Sequence, residues 1–285
     1  MTYRTAAHET IAKSFTGRFW GYIPDADVKR RQKDAGLLLR ASSNPPQATL
    51  ESYEAPIMDQ GPVSSCTGHG TAQGVYTSML ASGLSAASQF VPSPRVLYAL
   101  ARTLERQSNT QALTDSGAMP SDLLTVLRQY GIQPIAAPTS DGRYSDVEPA
   151  NVNAEVSLLD LEISGLKLLT GEYRVDETAG SAVAQIQAAI ASKIACGIGI
   201  FVDTGFMQWN PASGPIASID LGDPQGGGHW LALTSYYTLP SGVVVLRGPN
   251  SWGAGWGSAG HYEITASALQ SALSDCLIFK TSVVA

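Results

Sequence analysis

The sequence predicts an α+β fold of two lobes, in which a mainly helical lobe precedes a mainly β lobe. Between residues 67 and 130, apolar residues recur at helical spacing, and glycine or proline interrupts the pattern at intervals. From residue 132 onward, turn residues become frequent and short apolar segments alternate as they do in strands. A cysteine begins the first predicted helix and a histidine begins a later strand, so we expect a functional site in the groove between the lobes.

Three helices are predicted in the first lobe. The first has Cys66 in its first turn and runs to about Ala81, where a Ser-Gly pair ends it. The second spans residues 95–102 and follows two prolines. The third spans residues 121–130, with a proline in its first turn and a glycine after its end.

Strands dominate the prediction for the second lobe. Alternating or continuous apolar segments bounded by turn residues indicate five of them, and an alanine-rich segment indicates one helix. The strands are expected at residues 156–169, 196–202, 229–237, 242–246 and 261–265, and the helix at residues 178–193.

Composition excludes several classes of protein. The chain has 285 residues, of which 44% are hydrophobic and 15% charged, as in ordinary globular proteins large enough for two lobes. No apolar run approaches the ~20 residues of a membrane span, and residues 1–15 contain no apolar core of a secretion signal. We therefore expect no membrane partner, and a protein that is cytoplasmic or exported without a classical signal peptide.

Charge divides the chain at about residue 50. Residues 1–50 carry eight Lys and Arg against four Asp and Glu, a net +4, whereas residues 51–285 carry ten against twenty, a net −10. An acidic body disfavours nucleic acid as a partner. The basic run at residues 29–33 is either a solvated charge run or a surface that binds an acidic one, including the acidic body itself.

Residues 1–50 are predicted to form an N-terminal arm rather than part of the core. Four aromatic residues cluster at positions 15–22, and residues 42–46 have the composition of a linker. An exposed aromatic cluster needs a surface to pack against, and the body of the same chain is the nearest one. We expect the arm to fold over the body, either into or near the groove or at a site away from it.

Residues 59–71 contain the strongest chemical signal. Residues 59–65 have turn chemistry, and helical spacing follows, which places Cys66 at a helix start. The unpaired N–H groups there favour a thiolate. Gln60, six residues earlier, is in reach to provide an amide donor that would stabilise an oxyanion together with the Cys66 N–H.

Three segments in this order resemble the motifs of papain-like cysteine peptidases. The first is the Gln60–Cys66 loop, a Gln and a Cys separated by five residues. The second is Gly-Gly-Gly-His at residues 226–229, and the third is Asn-Ser-Trp-Gly at residues 250–253. A weaker similarity covers residues 115–119 and the helix that follows. Together the matches extend over about residues 55–285.

The resemblance implies a papain-like fold with a helical lobe at about 55–133, a β-barrel-like lobe at about 134–285, and an active site between them. It implies a cysteine endopeptidase that acts on a peptide or protein substrate and needs no cofactor. Cys66 would be the nucleophile, His229 the general base and Asn250 the residue that orients it. Gln60 would stabilise the oxyanion, and Trp252 would shield the Asn–His hydrogen bond from water.

Substrate contacts follow from the resemblance with less detail. Ser116 and Gly117 are expected to offer backbone hydrogen bonds to an extended substrate, and the strand around Ile198 to line a pocket. Trp230 stands where a small residue is usual, so its ring either narrows the main side-chain pocket or turns into the core. Residues 1–50 are expected to resemble a pro-segment, although the usual helical pro-segment motif is not recognisable in them.

Other interpretations of these residues were weighed. His69 lies three residues after Cys66 and is expected to line the cleft or pack within the helix, while His8 and His261 have no supporting context. Cys66 and His69 have no second Cys/His pair at a usable spacing, so no metal site is predicted. Two functional alternatives stay open: amidase, transpeptidase or effector-type acyl transfer by the same triad, and a non-catalytic binding module with the arm in the cleft.

Overall fold

The computed structural model describes residues 21–23, 44–83, 91–108, 115, 117–129, 131–132, 168–174 and 182–283. The predicted strand at 156–169 lies largely outside these residues, as do His8, Ser116 and most of the arm. None of the helices in the described ranges is both long enough and apolar enough to cross a membrane.

The described part of the first lobe contains three helices, as predicted: α1 (Cys66–Ala81), α2 (Pro94–Ser108) and α3 (Pro120–Gln129). α2 extends six residues beyond its predicted end. Leu97, Leu100 and Leu104 continue one apolar face, so the helix keeps its packing surface beyond residue 102.

The second lobe contains two four-stranded antiparallel sheets. One has the strand order β1-β5-β6-β7 and the other has the order β2-β8-β3-β4. The helices of this lobe are α4 (Ala182–Ala191), α5 (Thr204–Met207) and α6 (Ala266–Ala272). The strands are β1 (Ala48–Thr49), β2 (Leu168–Arg174), β3 (Cys196–Val202), β4 (Gly227–Leu233), β5 (Ser235–Thr238), β6 (Val244–Pro249), β7 (His261–Thr265) and β8 (Leu273–Val283).

The helical lobe followed by a β lobe confirms the predicted fold class, and several strands differ in detail. β3 and β7 have the predicted bounds, whereas the predicted strand at 229–237 is two strands, β4 and β5, which belong to different sheets. The sequence prediction contained neither α6 nor β8. β8 is central, because it pairs with both β2 and β3.

The chain joins the β lobe before residue 50. β1 pairs with β5, and Leu50 is buried in the core of this lobe. The carbonyl oxygen of Pro45 accepts a hydrogen bond from the Tyr236 hydroxyl at 3.0 Å. The described residues 44–50 therefore belong to the body. Composition alone predicted an arm here, because it contains no information about the pairing of β1 with β5, a strand nearly 190 residues away.

α1 is the central helix of the molecule, and Leu80 is its only residue that is not buried. Three glycines allow its neighbours to come close. A Cβ atom at Gly68 would collide with α2, one at Gly70 with the Trp230 side chain, and one at Gly74 with the Phe279 ring. The glycines therefore let α1 contact α2, β4 and β8 at backbone distance, which brings Cys66 to the boundary between the lobes.

Candidate active site

The loop before α1 and the loop after β6 form one wall of the site, although nearly 190 residues separate them in sequence. The Gln60 N–H donates to the Ser251 carbonyl oxygen at 2.8 Å, and the Gly253 N–H donates to the Met58 carbonyl oxygen at 3.0 Å. The Ser251 hydroxyl also donates to Gln60 Oε1. These bonds join the first and third sequence motifs.

A tight turn delivers Cys66 to the start of α1. Gly61 has φ +58°, a value that favours glycine, and its N–H donates to Asp59 Oδ1 at 3.0 Å. The Gln60 side chain folds over this turn and donates from Nε2 to the Val63 carbonyl oxygen at 2.7 Å. Val63 therefore holds the nitrogen of the Gln60 amide and Ser251 holds its oxygen, close to the start of α1.

Cys66 is fully buried, and burial raises its pKa to about 12. The N–H groups of Trp230, Gly21 and Thr67 hydrogen-bond the sulfur and lower the pKa, but not by enough to offset the burial. The negative charge of Asp115 raises it further. Burial therefore opposes the thiolate that the helix start was predicted to favour.

His229 and Asn250 are brought together from β4 and the end of β6. His229 Nε2 and Asn250 Oδ1 are 2.9 Å apart, and Asn250 Oδ1 also accepts the Ser251 N–H at 2.7 Å. The Trp252 ring stacks on the imidazole, with centroids 4.8 Å apart and planes 23° apart. All three side chains are nearly inaccessible to solvent. The Trp230 N–H that reaches the Cys66 sulfur belongs to the residue after His229, so β4 lies directly against the nucleophile.

Two aromatic residues without a predicted role hold Trp252 in place. Phe206 and Trp256 contact Trp252 edge-on, at centroid distances of 5.8 and 5.0 Å. Trp256 Nε1 donates to the Met207 carbonyl oxygen at 2.9 Å, which attaches the loop to α5. Trp256 lies just after the motif that contains Asn250, and the repeat of the Trp-Gly pair at residues 252–253 and 256–257 was the available signal for it.

His69 is buried in α1. His69 Nδ1 lies 2.9 Å from the Ser65 carbonyl oxygen one turn earlier. Burial lowers the pKa of His69 to about 4, so the imidazole is neutral. It lines a small cavity together with Trp230 and Asn250. His261 lies on β7, where its Nε2 is 2.8 Å from Glu54 Oε2.

Residues 21–23 of the N-terminal arm lie along the groove beside Cys66. The Ala118 N–H donates to the Gly21 carbonyl oxygen at 2.9 Å, and the Ile23 N–H donates to the Ala118 carbonyl oxygen at 3.2 Å. These bonds place Tyr22 in a parallel bridge with Ala118. The arm is therefore held by the backbone of the segment that was predicted to bind substrate.

Within that segment, the backbone groups that bond the arm belong to Ala118 rather than Gly117. The Gly117 N–H donates to the Tyr98 hydroxyl at 3.1 Å, and the Gly117 carbonyl oxygen accepts from Arg102 at 2.8 Å. Both polar groups of Gly117 are thus used inside the body. Ser116 lies outside the described residues. The substrate role of Gly117 stays a prediction, and in this structure Ala118 is the residue whose backbone bonds the arm.

Ile198 and Trp230 are on opposite faces of the β3–β4 pair. Ile198 is fully buried in the core of the β lobe, and the neighbouring Gly199 lies against the Tyr22 ring instead. The Trp230 ring packs with the helical lobe and also lies 5.6 Å from the Tyr22 ring. Trp230 therefore both enters the core and borders the groove, and on the strand around Ile198 it is Gly199 that lies against Tyr22.

Within the described ranges, His, Cys, Asp and Glu side chains form no group of three or more suited to hold a metal ion. Each of the three cysteines of the chain is buried, and none of them forms a disulfide bond.

No protein-family model and no curated protein matches this chain, but solved structures do. Xylellain, a cysteine protease from Xylella fastidiosa, is similar with a TM-score of 0.67 and 21% identity, over 96% of this chain and 100% of that one. Procathepsin B S9 from Trypanosoma congolense has a TM-score of 0.59 at 14% identity, over 96% and 87% of the two chains. Procathepsin L 3 from the larval midgut of Tenebrio molitor has a TM-score of 0.56 at 14% identity, over 97% of this chain and 77% of that one. The chain has the papain-like fold that its three sequence motifs predicted.

Proposed function

We propose that the protein is a cysteine peptidase whose N-terminal arm keeps it latent. The observation that carries the proposal is the hydrogen bond between His229 Nε2 and Asn250 Oδ1, at 2.9 Å and covered by the Trp252 ring. Trp230, the residue after His229 on β4, contacts the Cys66 sulfur through its N–H. Because Asn250 engages Nε2, the acid–base work falls to Nδ1.

The proposed reaction begins when the Cys66 thiol transfers its proton to His229. The thiolate attacks the carbonyl carbon of a peptide bond, and the Cys66 N–H and the Gln60 amide stabilise the oxyanion. One such side-chain donor is worth about 3–4 kcal/mol. His229 protonates the departing amine, and water activated by His229 then hydrolyses the thioester. Asn250 keeps the imidazole in one tautomer and orientation throughout.

The arm supports latency for two reasons. Its Gly21 N–H hydrogen-bonds the Cys66 sulfur, and its backbone occupies Ala118, so a peptide substrate cannot use either group. With the arm in place, the pKa of Cys66 is about 12, and the thiol stays protonated at neutral pH. Displacing the arm returns water to the thiol, which lowers the cost of the thiolate. Among the similar structures, two are procathepsins and another is the ragweed cysteine protease Amb a 11 in its proform.

A labelling experiment tests both parts of the proposal. A Cβ atom at Gly21 would collide with the Ser64 backbone, so we expect Gly21→Val to displace the arm. Gly255→Val is the matched control, since no heavy atom lies within 4 Å of a Cβ there. Each full-length variant, together with Cys66→Ala, is incubated with an epoxide inhibitor of cysteine peptidases, and the modified residue is located by peptide mass analysis.

We expect labelling confined to Cys66, slow in the unaltered chain and in Gly255→Val, and much faster in Gly21→Val. Equal rates of Cys66 labelling in all forms that contain Cys66 would contradict latency but would still support a reactive thiol. Absence of labelling in folded Gly21→Val would contradict the peptidase and favour the binding module. Hydrolysis of denatured casein by Gly21→Val then separates a peptidase from an acyl transferase or amidase, which would label without cleaving it.

A further inference from the structure

The loop before α1 is held by Asp115, which lies 51 residues after Ser64 in the chain. Both carboxylate oxygens of Asp115 accept the Ser64 N–H, each at 3.1 Å, and the Asp115 carbonyl oxygen accepts the Ser64 hydroxyl at 3.4 Å. Ser64 is buried and lies two residues before Cys66. The carboxylate therefore satisfies a buried N–H immediately before the thiol.

The start of α1 is not fixed by its own cap residue. The hydroxyl of Ser65, the residue before α1, lies 3.2 Å from His69 Nδ1 and does not cap the helix. A helix start without a side-chain cap depends on the contacts of the loop that precedes it. In this loop Ser64 is bonded to Asp115, so the carboxylate helps to fix where Cys66 lies.

Asp115 is itself held by α2. The Tyr98 hydroxyl donates to Asp115 Oδ1 at 2.7 Å and accepts the Gly117 N–H at 3.1 Å. Arg102, one turn further along α2, donates to the Gly117 carbonyl oxygen at 2.8 Å. Both α2 side chains are buried. The same hydrogen bonds therefore join the loop before α1 to the segment whose Ala118 bonds the arm.

The charge of Asp115 works against the chemistry of Cys66. Burial is the main cause of the raised pKa of the thiol, and the negative charge of Asp115 raises this pKa further. A carboxylate that raises the pKa of a thiol disfavours the thiolate, which is the reactive form. Any benefit of Asp115 to the reaction must then come from its hydrogen bonds rather than from its charge.

We infer that Asp115 is a positioning residue of the peptidase: its carboxylate, held by Tyr98, binds the Ser64 N–H and thereby fixes the Cys66 sulfur for reaction. The inference rests on the proposed function. Because Asp115 acts through Ser64, its loss should misplace the thiol without removing a reacting group. Asparagine separates position from charge, since an oxygen in place of Oδ1 keeps the bonds to Ser64 and Tyr98.

The first test measures hydrolysis of dye-labelled denatured casein in full-length Gly21→Val, in which we expect the arm to be displaced. Asp115→Ala, Asp115→Asn and Tyr98→Phe are each added to this background. The matched controls are Glu263→Ala and Tyr237→Phe, which break another bond between a carboxylate and a tyrosine hydroxyl, at 3.2 Å in the β lobe. Each kcat is expressed per Cys66 titrated with the epoxide inhibitor, so loss of folded protein does not count as loss of kcat.

We expect Asp115→Ala to lower kcat by about tenfold or more, since misplacement of a catalytic group by about 1 Å costs up to about 10²-fold. Asp115→Asn should keep kcat within about threefold, and Tyr98→Phe should lower it by about threefold or more. The two controls should leave kcat unchanged. Full kcat in Asp115→Ala or in Tyr98→Phe would overturn the inference, and so would a loss in Asp115→Asn equal to that in Asp115→Ala.

Iodoacetamide, which needs only a reactive thiol, gives a second measurement in the same background. Removing the charge should raise the rate at which it alkylates Cys66 at pH 8 by about twofold or more in Asp115→Asn. Glu263→Ala should not change this rate. A loosened site would also be alkylated faster, but it would lose kcat, so faster alkylation with retained kcat supports the inference. Faster alkylation with a large loss of kcat in Asp115→Asn would overturn it.

The parent variant separates the two proposals. If folded Gly21→Val hydrolyses casein and its Asp115→Ala derivative does so equally fast, the positioning role is wrong and the peptidase proposal stands. If Gly21→Val itself hydrolyses no casein, the proposed function is wrong, and the inference fails with it.

Discussion

Asn250 shows how one side chain fixes two others. Its Oδ1 accepts hydrogen bonds from the His229 ring and from the Ser251 N–H, both at less than 3 Å. Ser251 in turn bonds Gln60, the proposed oxyanion donor. The orientation of the base and the position of the oxyanion donor therefore depend on the same short loop.

Replacing Asn250 with alanine should lower kcat for peptide hydrolysis by about 10²-fold, with a smaller change in KM. The imidazole would lose its orientation, and misplacement of a catalytic group by about 1 Å has a cost of this size. The measurement is steady-state hydrolysis of a peptide amide in the Gly21→Val background. Asn210→Ala, which removes an exposed cap on a distant turn, should leave kcat unchanged. Unaltered kcat in Asn250→Ala would show that the base needs no orienting partner.

At the scale of the element, α1 is specified by its small residues rather than by an apolar face. Its glycines meet α2, β4 and β8, and nearly all of its surface is buried. Cys66 reaches the groove because the helix behind it approaches the sheet so closely.

Gly74→Ala tests this packing. A Cβ atom would lie 2.5 Å from Cε2 and 2.7 Å from Cδ2 of Phe279, a ring that is 1% exposed. We expect a loss of about 1–3 kcal/mol in the free energy of unfolding, although alanine favours a helix over glycine by about 1 kcal/mol. Urea unfolding at neutral pH measures it. Gly255→Ala, which meets no atom, should change the stability far less. A stabilised Gly74→Ala variant would mean that helix propensity outweighs packing here.

For the whole molecule, His69 links stability to acid. Its ordinary pKa of 6.5 is lowered to about 4 by burial. Between these values the unfolded chain binds a proton at His69 that the folded chain does not bind, so folding stability decreases as the pH falls from 6.5 to about 4. His261 has the opposite tendency. Burial lowers its pKa, but the hydrogen bond and charge of Glu54 outweigh burial, and the net shift is upward.

We therefore expect the unaltered protein to lose stability on the order of 3 kcal/mol from His69 alone across that pH range. His69→Gln should be less stable at neutral pH but should lose less on acidification. Urea unfolding of both proteins at pH 7 and pH 4.5 gives the difference in their free energies of unfolding at each pH. His261→Gln should change the pH dependence in the other direction, because its stabilising contribution is complete below pH 6.5 and declines as the pH rises. Equal acid sensitivity of His69→Gln and the unaltered protein would contradict the role of His69.

The local chemistry of the site could be predicted from sequence because it depends on short segments. A turn rich in Gly and Pro followed by helical spacing placed Cys66 at the start of α1, and the three motifs in order predicted the fold. The bounds of β3 and β7 followed from apolar alternation between turn residues. The turn, the helix start and the strand bounds depend on neighbours in the sequence, whereas the motifs predicted the fold through their resemblance to a known family.

Features that depend on distant partners could not be predicted in this way. Ile198 and Gly199 differ by one position, and a strand presents successive side chains to opposite faces, so only the pairing of β3 with its neighbours places Gly199 against Tyr22. Gly117 and Ala118 differ in the same way, because Tyr98 and Arg102 occupy the polar groups of one and the arm takes those of the other. The raised pKa of Cys66 follows from burial beneath a segment more than forty residues earlier. Short-range patterns thus specified which groups can react, and long-range packing specified which of them face the groove and in what state of charge.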